Sequence, residues 1–121
     1  MPDPDLMFEP WSWTPDGTRI AGNARRSGGQ LAGVWSYTLE TGEYRQLADS
    51  GMYPLWLGDG QRLVFWDEGK LYILDRGSEA PRELLSLEPG RVDDFHISRD
   101  DRWIFIARLD EESNLWLMTL D

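Results

Sequence analysis

The chain has 121 residues, 12 Lys and Arg against 22 Asp and Glu for a net charge of -10, and no Cys. That length makes one compact domain burying roughly two thirds of its unfolded surface, too short for two independent ones. The charge repels phosphate backbones and anionic headgroups, so nucleic acid and membrane are excluded as partners, and the missing Cys removes disulfides, thiolate nucleophiles and Cys-based metal sites.

The opening "MPDPDLMFEP" (1–10) is acidic and Pro-bearing, with no basic region ahead of an apolar run, so it does not have the pattern of a secretory signal. No stretch has the apolar length of a membrane-spanning helix. The expectation is a soluble chain, cytoplasmic if complete and periplasmic if processed or cut from something longer. Within the opening, "DLMFE" (5–9) reads as a spare strand-like fragment.

From residue 11 the elements come in a regular order. "WSWTP" (11–15) alternates apolar and polar residues as a half-buried strand does, and Pro15-Asp16-Gly17 follows it. Pro presets φ, Asp bonds its own backbone and Gly takes positive φ, which together make a hairpin turn. "RIAGNA" (19–24) is the second strand, "RRSGGQLA" (25–32) a basic, Gly-rich connector, "GVWSYTL" (33–39) a third strand and "YRQLAD" (44–49) a fourth.

The order then repeats. "PLWLG" (54–58), Gly58-Asp59-Gly60, "RLVFW" (62–66), "KLYILD" (70–75) and "RELLSL" (82–87) form a second set. "FHISR" (95–99), Arg99-Asp100-Asp101, "WIFIAR" (103–108) and "NLWLMTL" (114–120) form a third that lacks a fourth strand. Here Asp101 stands where the other copies have Gly, a position that needs the left-handed region, and Asp tolerates that region better than most residues. Asp16, Asp59 and Asp100 align at spacings of 43 and 41. Four short strands at that period are the pattern of one β-propeller blade per repeat. The fold class is therefore all-β, a propeller portion with a segment 1–10, blades at 11–52 and 53–92, and an incomplete blade at 93–121.

The pattern of Ser/Thr-Pro-Asp-Gly, a basic residue and an apolar strand resembles the TolB-like propeller repeat. "WTPDGTRIAG" (13–22) is the fullest copy; "LGDGQRLVF" (57–65) has lost the Pro, and "SRDDRWIFIA" (98–107) has lost Pro and Gly. The resemblance covers about 11–121 and implies rings of six to eight blades, used in interaction modules and as accessory parts of peptidases and bacterial sensor kinases. A peptidase would need a Gly-x-Ser-x-Gly elbow and a kinase its Gly-rich loop, and the sequence has neither.

Three blades leave two apolar sheet faces open, and with seven Trp in the chain that exposure is costly at about 25 cal/mol per Å2. A homo-oligomer is expected, a dimer favoured, with two copies closing a six-bladed ring. The segment 5–9, of the other copy or of the same chain in a longer parent, is expected to pair onto "NLWLMTLD" (114–121) and complete the third blade.

Candidate functional residues are few. The three turn Asp residues are explained by the turns they make. Trp35, Tyr72 and Trp116 recur by blade and read as core, while Trp11, Trp66 and Trp103 break the repeat and are candidate interface anchors for a peptide or protein. His96, the single His, and Asp93 and Asp94 just before it lie on a strand expected to line the channel. Ca2+ takes six to eight oxygens, so that pair does not make a site. "LDEESN" (109–114) reads as a solvated hairpin tip, and no cofactor or metal is expected. The function expected is a non-enzymatic interaction or scaffold module; the alternatives are a metal-dependent propeller hydrolase or lactonase, or a designed or excised fragment that only assembles. The apolar first strands argue against the hydrolase.

Overall fold

The computed structural model describes residues 1–75, 80–86, 91–109 and 114–119, with side chains for 1–75, 80–86 and 95–106. All of its regular elements are strands. β1 (Leu6–Trp13), β2 (Arg19–Arg26), β3 (Leu31–Thr38) and β4 (Glu43–Ala48) form the first sheet. β5 (Met52–Trp56), β6 (Arg62–Asp67), β7 (Lys70–Asp75) and β8 (Arg82–Ser86) form the second, and β9 (Arg91–Ile97), β10 (Trp103–Leu109) and β11 (Asn114–Thr119) the third. Within each sheet every strand pairs antiparallel with its neighbours in sequence, the meander that short hairpin turns enforce.

The opening segment is not a free donor. Leu6, Met7, Phe8, Glu9 and Pro10 are the first half of β1 and pair with Arg26 through Gly22 of β2. Leu6, Phe8 and Pro10 repeat at period 2 into 11–13, which lets the strand run on past the start inferred from the turn alone. Likewise the second sheet begins at Met52 and the third at Arg91.

The sheets pack face to face in chain order. Val34 of the first sheet meets Leu63, Phe65 and Leu74 of the second, with Leu47, Trp56 and Tyr72 around them. From the opposite face of the second sheet, Leu57, Val64, Leu71 and Ile73 pack with Phe95, Ile104 and Ile106 of the third. The middle sheet is thus apolar on both faces, so β6 reads as a continuous buried run at Leu63, Val64 and Phe65.

Each first strand is bulged. The registers slip at Trp11 in β1, between Met52 and Leu55 in β5, and at Asp93 in β9, where Val92 and Asp94 pair with successive residues of β10. Bulges bend a strand and re-aim its side chains. Tyr53, inside the second bulge, has φ of 56°, which a bulky residue holds only when its surroundings fix it.

Phe65 is held from the chain entering β5. Gly51 has φ of 115°, and a Cβ there would lie 2.5 and 2.8 Å from the Phe65 ring. Phe65→Ala is expected to cost about 3–5 kcal/mol and Gly51→Ala about 1–3 kcal/mol in denaturant unfolding. The Gly51→Ala penalty should shrink in the Phe65→Ala background, where the clash is gone; equal penalties in both backgrounds would disprove the contact.

Candidate interaction surfaces

The three repeated turns share one wiring. Thr14 N–H donates to Arg19 O (2.9 Å), Leu57 N–H to Arg62 O (2.8 Å) and Ser98 N–H to Trp103 O (2.9 Å). Inside them Gly17 N–H donates to Thr14 O (2.9 Å), Gly60 N–H to Leu57 O (3.0 Å) and Asp101 N–H to Ser98 O (3.0 Å). The left-handed position is Gly17 at φ 72°, Gly60 at 67° and Asp101 at 62°, so Asp occupies the Gly conformation in the third turn as expected.

The recurring carboxylates brace these turns. Asp16 Oδ1 accepts from the Thr14 and Thr18 hydroxyls (2.6 and 2.7 Å) and Thr18 N–H (3.0 Å), and these bonds pull its pKa down from 3.8 to about 2. Partial burial works to raise Asp59, but the N–H groups of Gln61 and Arg62 and the Arg62 guanidinium (2.8 Å) outweigh it and hold the carboxyl below its ordinary value. Asp100 is lowered by the Ser98 hydroxyl (2.7 Å) and then by Arg102 N–H (3.1 Å).

The turns also tie one sheet to the next. Arg19 donates through Nη2 to Gly60 O (2.6 Å), and its guanidinium lies 5.0 Å from the centre of the Trp56 ring. The Asp101 carboxylate accepts from Gly58 N–H and from Asp59 N–H (3.1 Å) in the second turn. Sequence reasoning saw in Asp101 only a tolerated replacement for Gly; its side chain makes the link from the third turn to the second. Deeper in the first joint, Ser12 Oγ donates to Pro54 O (2.6 Å) and Tyr53 N–H donates to Asn23 Oδ1 (3.1 Å).

The proposed anchors divide. Trp11 is 51% exposed on its bulge and lies 4.8 Å from Tyr53, itself 41% exposed, so the first strands of two sheets present one aromatic pair. Trp103 is 39% exposed beside Phe105 at 38%. Trp66 is not an exposed anchor: it sits opposite Leu71 and packs against the core between the second and third sheets. His96 is an exposed strand residue opposite Phe105. Asp94 pairs with Ala107 and Asp93 occupies the bulge, while both side chains lie outside the described residues. The loop 110–113 and the Trp116 side chain lie outside them as well.

Trp35 and Tyr72, expected to be core together, differ. Tyr72 stacks on Phe65 at 5.6 Å within the first joint, whereas Trp35 lies opposite Gly22 on the other face of the first sheet, half-buried, with its Nε1–H donating to Ala32 O (2.9 Å). Trp13, taken from the sequence as part of a half-buried strand, is 57% exposed. The basic connector is neutralised locally: Arg25 Nε pairs with Glu9 (3.1 Å), Arg26 lies near Asp3 and Asp5, and the Ser27 hydroxyl donates to Asp5. A cleft of about 430 Å3 opens beside β4, where Leu47, Asp49, Phe65, Asp67 and Tyr72 meet, and there the Ser50 hydroxyl donates to Asp67. Among the described residues no group of three or more His, Asp or Glu is placed to hold a metal ion.

No family model matches the sequence, and no curated protein does. Solved structures match its fold. A structure assigned to TolB from Agrobacterium tumefaciens superposes at a TM-score of 0.80 and 13% identity over 98% of this chain and 47% of that one. TolB from Acinetobacter baumannii gives 0.70 and 22% over 93% of this chain and 29% of its own. The acylaminoacyl peptidase of Pyrococcus horikoshii gives 0.51 and 14% over 96% and 25%. The chain therefore has the TolB-like propeller-blade fold, and it spans less than half the length of each of these proteins.

Two predictions concern the turns. Asp101→Gly removes the links to Gly58 and Asp59 while relaxing the backbone, and Asp101→Ala removes them and adds strain. Stability should fall in the order wild type, Gly, Ala, with the Ala variant lower by about 1 kcal/mol or more in denaturant unfolding; a Gly variant more stable than wild type would sink the role given to the carboxylate. The lowered Asp16 pKa makes its contribution complete above about pH 4, the ordinary carboxylate range, and loses it as pH falls through about 2. Thermal unfolding should show a smaller loss of stability between those limits for Asp16→Asn than for wild type, and parallel profiles would refute this.

Proposed function

We propose that this chain is a non-enzymatic protein-interaction module built from TolB-like propeller blades, and that a second copy closes its open faces into a six-bladed ring. The observation carrying this reading is the asymmetry of coverage. The middle sheet is covered on both faces, while Trp13 and Trp35 on one outer face and Trp103 and Phe105 on the other have no sheet against them among the described residues. Faces of this kind mark protein contacts.

The reading as a non-enzyme rests on what the first strands present. Trp11, Trp13, Pro54, Leu55 and Trp56 line them where a channel enzyme would need polar groups, and the turn carboxylates are occupied by their own backbone. The half-exposed Trp11 and Tyr53 pair supplies what a protein or peptide ligand needs, a large, rigid, apolar contact on a fixed strand.

Light scattering on a size-exclusion column at micromolar concentration should give the mass of two 14.0 kDa chains. A single-chain mass across that range would overturn ring closure by a second copy.

A further inference from the structure

The joint already present inside the chain specifies what the missing joint would contain. Counting from the start of each turn, Thr14, Leu57 and Ser98 are equivalent, as their shared hydrogen bonds show. Arg19, Arg62 and Trp103 are then equivalent, each closing its turn with its carbonyl or pairing at the same rung: Arg19 opposite Thr38, Arg62 opposite Asp75 and Trp103 opposite Thr119. By the same count Trp13 is equivalent to Trp56, the one opposite Ile20 and the other opposite Leu63.

In the joint between the first and second sheets, the residue at the first of these positions, Arg19, covers the residue at the second, Trp56. The third sheet carries Trp103 at the Arg19 position on its uncovered face, and the first sheet carries Trp13 at the Trp56 position on its own. Both are exposed large apolar side chains, at 39% and 57% respectively.

We infer that Trp103 of one copy packs on Trp13 of a second copy, an aromatic pair replacing the Arg19 to Trp56 contact, and that this pair anchors each of the two joints that close the ring. The inference rests on the reading of the chain as a self-closing module. The surrounding positions agree. Ile20, Trp35 and Tyr37 of the first sheet stand at the places of Leu63, Tyr72 and Leu74, which make the second sheet's half of the observed joint. Phe105 stands on the opposite side at the place of Ala21, and His96 at the place of Ser12, whose hydroxyl crosses the observed joint to Pro54 O. The occupant is a second copy because the two uncovered faces have complementary repeat positions: each lacks the half that the other carries.

The test uses the full chain with Trp13→Glu, Trp103→Glu and Trp103→Arg, each checked by circular dichroism and thermal unfolding for an intact fold. Both Glu variants should raise the dimer dissociation constant about 30-fold or more, the size of an anchor residue's contribution. Trp103→Arg recreates the Arg-over-Trp contact and should keep the two-chain mass. Mixing the two Glu variants should recover association, because a mixed pair has one joint with both Trp residues intact and one with neither.

Two-chain wild type with unaffected Glu variants, or no recovery on mixing, or a single-chain Trp103→Arg, would overturn the pairing and leave ring closure standing. A single-chain wild type would overturn both.

Discussion

A sheet with apolar side chains on both faces must be covered twice, and the whole arrangement of this chain follows from that. The middle sheet meets the condition, sending Leu63, Phe65 and Leu74 to one neighbour and Val64, Leu71 and Ile73 to the other. Each of those residues is worth roughly 1.5–3 kcal/mol when fully buried, which is why the two joints order the three sheets in sequence. The first and third sheets also carry apolar side chains, Trp13 and Trp35 on one and Trp103 and Phe105 on the other, on faces that no sheet covers among the described residues. β-Propellers in general resolve this by repeating such sheets radially around a central channel.

The turns make that stack precise. A hairpin turn alone fixes two strands of one sheet, but here Arg19 and Asp101 carry the connection from one turn to the next. The two links use opposite chemistry at the same edge of the fold, a guanidinium donating to a carbonyl in one joint and a carboxylate accepting from two amides in the other. Asp101 can do this because its positive φ, shared with Gly17 and Gly60, aims the side chain at the neighbouring turn. Loss of the Gly in the third copy therefore looks like decay in the sequence and is a contact in the structure.

That contrast marks what sequence could reveal. Strands and turns were legible because alternation at period 2 and the Asp-Gly turn are local codes, and so the three equivalent turns appeared in register. The joints were not legible, because whether an aromatic is buried depends on which sheet face it joins and what stands across from it. Trp66 broke the repeat and suggested an exposed anchor, yet it lies two residues beyond Val64 on the same covered face. Trp35 recurred by blade and suggested core, yet its face belongs to the outermost sheet. Leu6–Pro10 looked separate because the repeat was counted from the turn, and a bulge at Trp11 hid the continuous strand.

Charge follows the same division. A chain carrying -10 approaching its own copy would be repelled, and salt at physiological strength screens this only beyond about 8 Å. Six of the 22 acidic groups, however, are held at the turns and near β1: Asp16, Asp59, Asp100 and Asp101 by turn amides and hydroxyls, Asp5 and Glu9 by Ser27 and Arg25. The positions that would meet across a closing joint, Trp13, Ile20, Trp35 and Tyr37 against Trp103 and Phe105, carry no charge. Stacking of those neutral aromatic positions on a second copy would remove apolar surface from water without setting charge against charge at the named positions.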